Sequence, residues 1–316
     1  MVLANEGPRI TADAIGARPL GGVETAFALL AQAFAARGHE LALHFEGERT
    51  ALPPRADLVI AARVPRLFAA LPPGRRVLWL HNPAGYLRKP RHLWPLLRAR
   101  PALVTLGPSH AATLPRWLPG RRVRLPLAVA PPFDAPAPER APPPPVAAFT
   151  SSPLRGLAEL AALWPQVGLG ELRAYSGAAT YGDDPRLAAR ALPALAAARA
   201  AGIALHAPLP RPALRAALLE ARVMLYPGDA GETFCLALAE AQALGLPCVV
   251  MDRGAVAERV QDGVTGVVAR DAQGFVRAAR RLLEDDAAWT AMHRAALARG
   301  PGPGWDAVAA GFEALA

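Results

Sequence analysis

Residues 222–252 read Arg222-Val-Met-Leu-Tyr-Pro-Gly-Asp-Ala-Gly-Glu232-Thr-Phe-Cys-Leu-Ala-Leu-Ala-Glu240-Ala-Gln-Ala-Leu-Gly245-Leu-Pro-Cys-Val-Val-Met-Asp252. The run Arg222 to Pro227 has the apolar content of a short buried strand, closed by its proline. Leu236, Leu238, Ala241 and Leu244 then repeat at helical spacing, and Gly245 stops the helix. Leu246 to Asp252 is a second buried strand. This βαβ unit puts Glu232 and Glu240 at the carboxyl end of a parallel strand and along the following helix, where open α/β sheets bind ligands. An offset of eight residues is about 80° more than two helical turns, so both carboxylates can reach one ligand at different depths. Taken singly, Glu232 reads as a first-turn acid favoured by the helix dipole, and Glu240 as a solvated helix residue.

Their company decides between these readings. Arg253-Gly-Ala-Val-Ala-Glu258-Arg-Val-Gln-Asp262-Gly-Val-Thr265-Gly266 follows the second strand. Residues 222–268 together resemble the donor-binding core of retaining glycosyltransferases of the GT-B fold, family 4. That core pairs two glutamates eight residues apart with a later Gly-x-x-Glu-x-Val-x-Asp-Gly-x-Thr-Gly run. A second block, Leu20-Gly21-Gly22-Val-Glu24-Thr-Ala-Phe27 through Arg37-Gly38-His39-Glu40, resembles the amino-terminal Gly-Gly-x-Glu helix of the same enzymes. Paired glycines allow close approach of backbone to ligand at a helix start. Phe27, Leu30, Ala31 and Phe34 form one apolar face, and Gly38 caps the helix.

The length of 316 residues suits two α/β domains of about 150 residues each. Strand-like runs at 40–46, 56–62, 76–81, 102–107 and 123–129 alternate with helical stretches. Runs at 146–150, 171–176, 202–206, 223–227 and 247–252 do the same. The expectation is two Rossmann-like domains with parallel sheets facing a central cleft. An acceptor-binding domain would cover 1–140 and a donor-binding domain 145–303, joined by the stiff Pro-rich stretch 130–145. The helix 304–316, carrying Trp305, resembles the carboxy-terminal family helix that packs back on the first domain.

Residues 1–145 carry 19 Lys/Arg and 9 Asp/Glu, a net of +10, whereas residues 146–316 carry 16 and 17, a net of −1. Arg88-Lys89-Pro-Arg91-His-Leu-Trp94 and Arg116-Trp117-Leu-Pro-Gly-Arg121-Arg122 mix cations with tryptophan. That mixture suits an anionic acceptor or an anionic membrane surface; a solvated basic face reads equally well. No nucleic-acid motif accompanies the charge. Cys235 and Cys248 are the two cysteines, so no disulfide framework or zinc cluster is implied. The opening Met-Val-Leu-Ala-Asn-Glu lacks the features of a signal peptide. No apolar run reaches the roughly twenty residues of a membrane span. The expectation is a cytoplasmic chain, soluble or peripheral at the inner membrane face.

The resemblance assigns roles. Glu240 would bind ribose hydroxyls and Glu232 the hydroxyls of the donor sugar. Gly231 and the backbone N–H groups of Thr233, Phe234 and Cys235 would open the helix toward sugar and phosphate. Gly21 and Gly22 would approach the donor, and Leu209 would lie against its base. Many family members carry Arg-x4-Lys-Gly after the first strand of the second domain; here Thr150-Ser151-Ser152-Pro-Leu-Arg155-Gly156 stands instead. Arg155 matches the lysine, Thr150 replaces the arginine, and Ser152 is a candidate for the missing donor. His81, at a strand end, would contact the donor sugar or acceptor. Glu24 and Ser109 would face the acceptor, and the charge pattern, rather than the resemblance, adds Arg88, Lys89 and Arg91 to that side. No Asp-x-Asp clamp follows a strand, so no metal and no cofactor beyond the nucleotide sugar is expected. The resemblance implies front-face departure, in which the leaving phosphate helps deprotonate the acceptor. Two other readings keep the scaffold: a non-catalytic sugar-nucleotide-binding subunit, and a sugar-nucleotide epimerase or hydrolase. Fold does not choose among them.

Overall fold

The computed structural model describes residues 1–7, 9–10, 15, 20–48, 50–177 and 185–316. Its strands are β1 Val2–Asn5, β2 Ala42–Phe45, β3 Leu58–Ala62, β4 Arg75–Trp79, β5 Ala102–Thr105 and β6 Arg122–Arg124, then β7 Val146–Phe149, β8 Glu171–Tyr175, β9 Ala204–His206, β10 Val223–Tyr226, β11 Cys248–Met251 and β12 Gly266–Ala269. They form two six-stranded sheets, ordered β2-β1-β3-β4-β5-β6 and β12-β11-β10-β7-β8-β9. Every pairing in both is parallel. The expected α/β architecture of two facing parallel sheets is present. The sequence reading omitted β1 and β12. The first lies between β2 and β3, the second at a sheet edge.

Parallel strands need both faces covered, and alternation supplies two apolar surfaces to the first sheet. Leu3, Leu58, Ile60, Val77 and Val104 face one side, while Val2, Val59, Ala61, Leu78 and Leu103 face the other. The first side is covered by helix α1 (Gly22–Ala36) and by the carboxy-terminal helix Trp305–Glu313. Trp305 donates its indole N–H to Val129 O at 3.1 Å. Arg37 forks onto Glu313 at 2.6 and 2.7 Å and reaches Asp306 at 2.6 Å. The chain's end thus closes the first core. The other side is covered by helix α2 (Pro90–Ala99) and two short 3-10 turns, Pro65–Ala69 and Ala84–Arg88.

The Pro-rich connection is anchored to the second half. Phe133 is fully buried in the second core. The Arg140 guanidinium donates to Leu219 O at 2.8 Å, and its backbone N–H to His293 Nε2 at 3.2 Å. The halves also interlock, because Phe234 from the second enters the core of the first. Arg259 lies 4.3 Å from the centre of the Phe234 ring.

Burial of histidines makes the fold acid-sensitive. His81, His92, His110 and His293 all have pKa values below the ordinary 6.5, first because burial disfavours the imidazolium. The unfolded chain therefore takes up protons before the folded chain as pH falls. Stability that is full above about pH 6.5 drains away between that value and the lower folded-state values. Thermal melts should show a lower Tm at pH 5 than at pH 7.5. An unchanged Tm over that window would contradict the neutral, buried assignment.

Candidate active site

A cavity of about 320 Å³ opens between the two sheets. Its walls come from the points where strand order reverses, between β1 and β3 in the first sheet and between β7 and β10 in the second. The carboxyl ends of such strands are the natural ligand site of an open parallel sheet. From the first half come Gly21, Gly22 and Glu24 at the start of α1, Arg63 after β3, and His81 and Asn82 after β4. From the second come Thr150, Ser151, Ser152 and Arg155 after β7, Leu209 and Arg211 after β9, and Glu232 to Ala237 with Glu240 after β10.

Twelve of the residues picked from sequence meet here: Glu232, His81, Arg155, Gly21, Gly22, Glu24, Ser152, Leu209, Thr233, Phe234, Cys235 and Glu240. Gly231 stands just outside the lining, its N–H donated to Asp229 Oδ1 at 2.7 Å. Ser109 is likewise outside; its N–H donates to Glu258 Oε1 at 2.6 Å across the interface. A side chain at Gly107 would fall 2.2 Å from Glu258 Oε2, so it would push the Glu258 carboxylate out of its present position. Arg88, Lys89 and Arg91 do not line the cleft. They are exposed, because α2 turns His92 and Leu96 inward and sends Arg91 outward. The sequence placed these three beside the acceptor; packing places them on an outer surface.

The helix after β10 also departs from expectation. It runs Leu236–Ala243, and Cys235 precedes it in a left-handed conformation with φ 65°. Thr233, Phe234 and Cys235 therefore form the turn ahead of the helix. The first N–H groups of the helix belong to Leu236 and Ala237, both of which line the cleft. The turn is held in place by Thr233, whose hydroxyl donates to His81 O at 2.7 Å. Burial pushes the Cys235 thiol far up, so it is a packed apolar side chain rather than a nucleophile.

Three guanidinium–carboxylate pairs occupy the cleft. Arg155 Nη1 lies 2.8 Å from Glu232 Oε1. The same carboxylate oxygen accepts the Tyr226 hydroxyl at 2.6 Å. Burial and the Glu232 charge push that phenol far up, so it stays a donor. Arg211 pairs with Glu240 in a short contact, and its other nitrogen donates to Thr25 Oγ1 in the first half at 3.2 Å. Glu240 is 4% exposed, so the solvated-helix reading of it fails. Arg63 lies 3.7 Å from Glu24 and donates to Asn5 Oδ1 at 3.1 Å. Arg63 holds a positive φ of 66°, unusual for a residue other than glycine and concentrated at functional sites.

His81 is 7% exposed and packs tilted against Trp79, with ring centres 4.3 Å apart and planes 57° apart. Burial first, then the charges of Arg63 and His110, hold its pKa well below the ordinary value. His81 lines the cleft, and its Nε2 is buried without a hydrogen-bond partner. A buried polar nitrogen left unpaired is costly, which makes it a candidate contact for a ligand. Sequence reasoning missed Arg63, Arg211 and Tyr175, the last stacked on His206 at 5.1 Å at the cleft wall. Arg211 stands two residues beyond Leu209, so its position at a helix start was the available signal. Among the described residues no group of three His, Cys, Asp or Glu is placed to hold a metal ion.

Residues 156–285 match the model of the glycosyl transferases group 1 family. Over 100 residues the chain is 36% identical to D-inositol 3-phosphate glycosyltransferase 1 of Catenulispora acidiphila, covering 31% of this chain and 24% of that protein. The match thus spans about a quarter of that relative's length. Sucrose-phosphate synthase from Thermosynechococcus elongatus has the same fold, with a TM-score of 0.76 at 16% identity over 99% of this chain and 98% of that one. The pneumococcal O-GlcNAc transferase GtfA, solved in complex with UDP and GlcNAc, aligns with a TM-score of 0.59 at 14% identity over 92% of this chain and 59% of that one.

Proposed function

We propose, for a chain whose residues 156–285 match the glycosyl transferases group 1 family and whose two sheets form the GT-B fold, that this cleft moves a hexosyl group from a nucleoside-diphosphate sugar to an acceptor hydroxyl with retention at the anomeric carbon. One observation carries the reading. Glu232, Glu240, Arg155 and the unpartnered His81 Nε2 converge on a single cleft between the two switch points. The acceptor is a glycan, a lipid-linked molecule or another anionic compound bound from the first sheet's side.

In this reading each paired carboxylate and guanidinium changes partner when donor enters. The diphosphate oxygens take the guanidinium groups of Arg155 and Arg211, which fork onto phosphate as readily as onto carboxylate. Glu240 then accepts from the ribose diol and Glu232 from sugar hydroxyls, with Tyr226 fixing the carboxylate's orientation. The N–H groups of Leu236 and Ala237 face the phosphates at the helix start. His81 Nε2 meets a hydroxyl of the sugar or the acceptor. The bond from the anomeric carbon to phosphate oxygen breaks as the bond to the acceptor oxygen forms, and the acceptor proton passes to the departing phosphate. No protein base of ordinary histidine basicity is needed, which agrees with a His81 held neutral.

Donor turnover tests the reading. Nucleotide release from a nucleotide sugar, slow alone and accelerated by acceptor, is expected. Thr150, standing where the resemblance places an arginine, favours the second reading of a non-catalytic binding subunit. Tight donor binding with no hydrolysis or transfer under any acceptor would support that one instead. We further propose that activity persists in chelator, because Arg155, Arg211 and the helix start supply positive charge where a divalent ion would otherwise act. Loss of turnover in chelator, restored by Mg²⁺ or Mn²⁺, would refute this.

A further inference from the structure

We propose that the outer flank of the first half, around Trp94 and Trp117, is a docking surface for an anionic lipid bilayer. From Leu58 to Phe133 the sequence contains 13 Lys/Arg and no Asp or Glu. The cations that surround the two tryptophans are Arg88, Lys89, Arg91 and Arg98 on one side and Arg116 and Arg121 on the other. All six are exposed, and none has a carboxylate within 4.0 Å among the described residues. Elsewhere on the same half, Arg37, Arg63 and Arg66 are all paired with acids. Arg55, Arg75 and Arg124 are also exposed without an acid among the described residues, so what sets this flank apart is that its cations surround two exposed tryptophans.

The tryptophans are presented, not stranded. Helix α2 buries His92 and Leu96, and Arg91, Trp94 and Arg98 fall at helical spacing on its opposite face. Trp94 is 70% exposed. Trp117, 57% exposed, sits on a turn fixed by Arg122, whose guanidinium donates to Pro115 O, Arg116 O and Leu118 O at 2.7, 2.9 and 3.1 Å. Leu114 and Leu118 of that loop enter the same buried cluster as Leu96 of α2, so both indoles project from elements packed on the same face of the first sheet.

Charge complementarity selects the occupant. A soluble polyanion without aromatic groups would use the cations but has no place for two outward indoles, and no nucleic-acid motif accompanies the charge. A bilayer uses both: headgroup charge attracts Lys and Arg, and indole rings settle at headgroup depth. No described helix is long and apolar enough to cross a membrane, so the contact is with the surface. The flank adjoins the cleft. His81 and Asn82 line the cavity, and four residues later Tyr86 donates its hydroxyl to the backbone oxygen of Arg63, another lining residue. A docked bilayer would bring its lipids to the cleft mouth; that consequence rests on the function proposed above, whereas docking does not.

The test is sedimentation of the full chain with phosphatidylcholine vesicles, with and without phosphatidylglycerol, in the absence of any nucleotide sugar. Binding is expected only with the anionic lipid, and it should weaken steeply as salt shortens the screening length. The Arg88→Ser, Lys89→Ser, Arg91→Ser variant should bind roughly a hundredfold more weakly. Trp94→Ser with Trp117→Ser should lose the quenching of tryptophan emission by brominated lipid. Circular dichroism melts matching the parent confirm that both variants fold. Equal binding to neutral vesicles, unchanged binding by the basic variant, or no sedimentation at low salt overturns the proposal. Capture of a single-stranded oligonucleotide in place of vesicles would assign the flank to nucleic acid and overturn it as well.

Discussion

Glu240→Ala is expected to cost about 3–5 kcal/mol of folding stability, the range for removing one member of a buried ion pair. Glu240 and Arg211 side chains are only 6% and 12% exposed. Without the carboxylate, the Arg211 guanidinium keeps Thr25 Oγ1 at 3.2 Å as its neutral partner in the cleft. Most of the loss comes from that stranded charge rather than from the missing attraction. Arg211→Ala together with Glu240→Ala should therefore recover much of the stability, with a coupling energy of at least about 1 kcal/mol. Chemical denaturation of the parent, both single variants and the pair measures it. A double variant as unstable as Glu240→Ala would show that Arg211 does not depend on Glu240. Donor affinity separates structure from binding: the ribose contacts assigned to Glu240 are charge-assisted, so nucleoside-diphosphate binding should weaken by about 1.5–3 kcal/mol. In the double variant that affinity should not return, even as stability does.

The pair also shows which part of the site sequence could reveal. Glu240 was legible because a helical apolar repeat, a stopping glycine and two flanking buried strands fixed its place along the helix. Arg211 was not, since one of many arginines on an arginine-rich chain carries no periodic signal. Its role arises from the approach of two sheets distant in sequence. Arg63 was hidden for a related reason, because its entry into the cleft depends on a left-handed turn after β3. Strand β1 is four residues at the chain start, too short to display alternation; its identity comes from pairing with β2 on one side and β3 on the other. Arg88, Lys89 and Arg91 misled because composition signals charge but not direction. The inward packing of His92 and Leu96 settles which way α2 faces.

Arg155→Ala is expected to lower kcat by about 10²–10³, the effect of removing one fixed donor to a developing anion. The leaving diphosphate is the group whose charge grows in the transition state, so the loss should appear in turnover more than in donor affinity. The loop holds Arg155 in place before donor arrives. Its backbone N–H donates to Ser152 O at 2.9 Å, and its guanidinium rests on Glu232 at 2.8 Å. Gly156, at φ 82°, lets the loop pass close beside Gly228, where a side chain would lie 3.3 Å from the Gly228 carbonyl oxygen. With Thr150 in place of a second cation after β7, less is left to compensate when this guanidinium is removed. Arg155→Lys keeps the charge but loses the planar fork, so it should fall between parent and alanine. Steady-state kinetics on all three forms, with donor and acceptor varied separately, decides the matter. If Arg155→Ala raised the donor KM while leaving kcat near the parent value, Arg155 would be a ground-state grip and the diphosphate would be stabilised elsewhere, with Arg211 the next residue to replace.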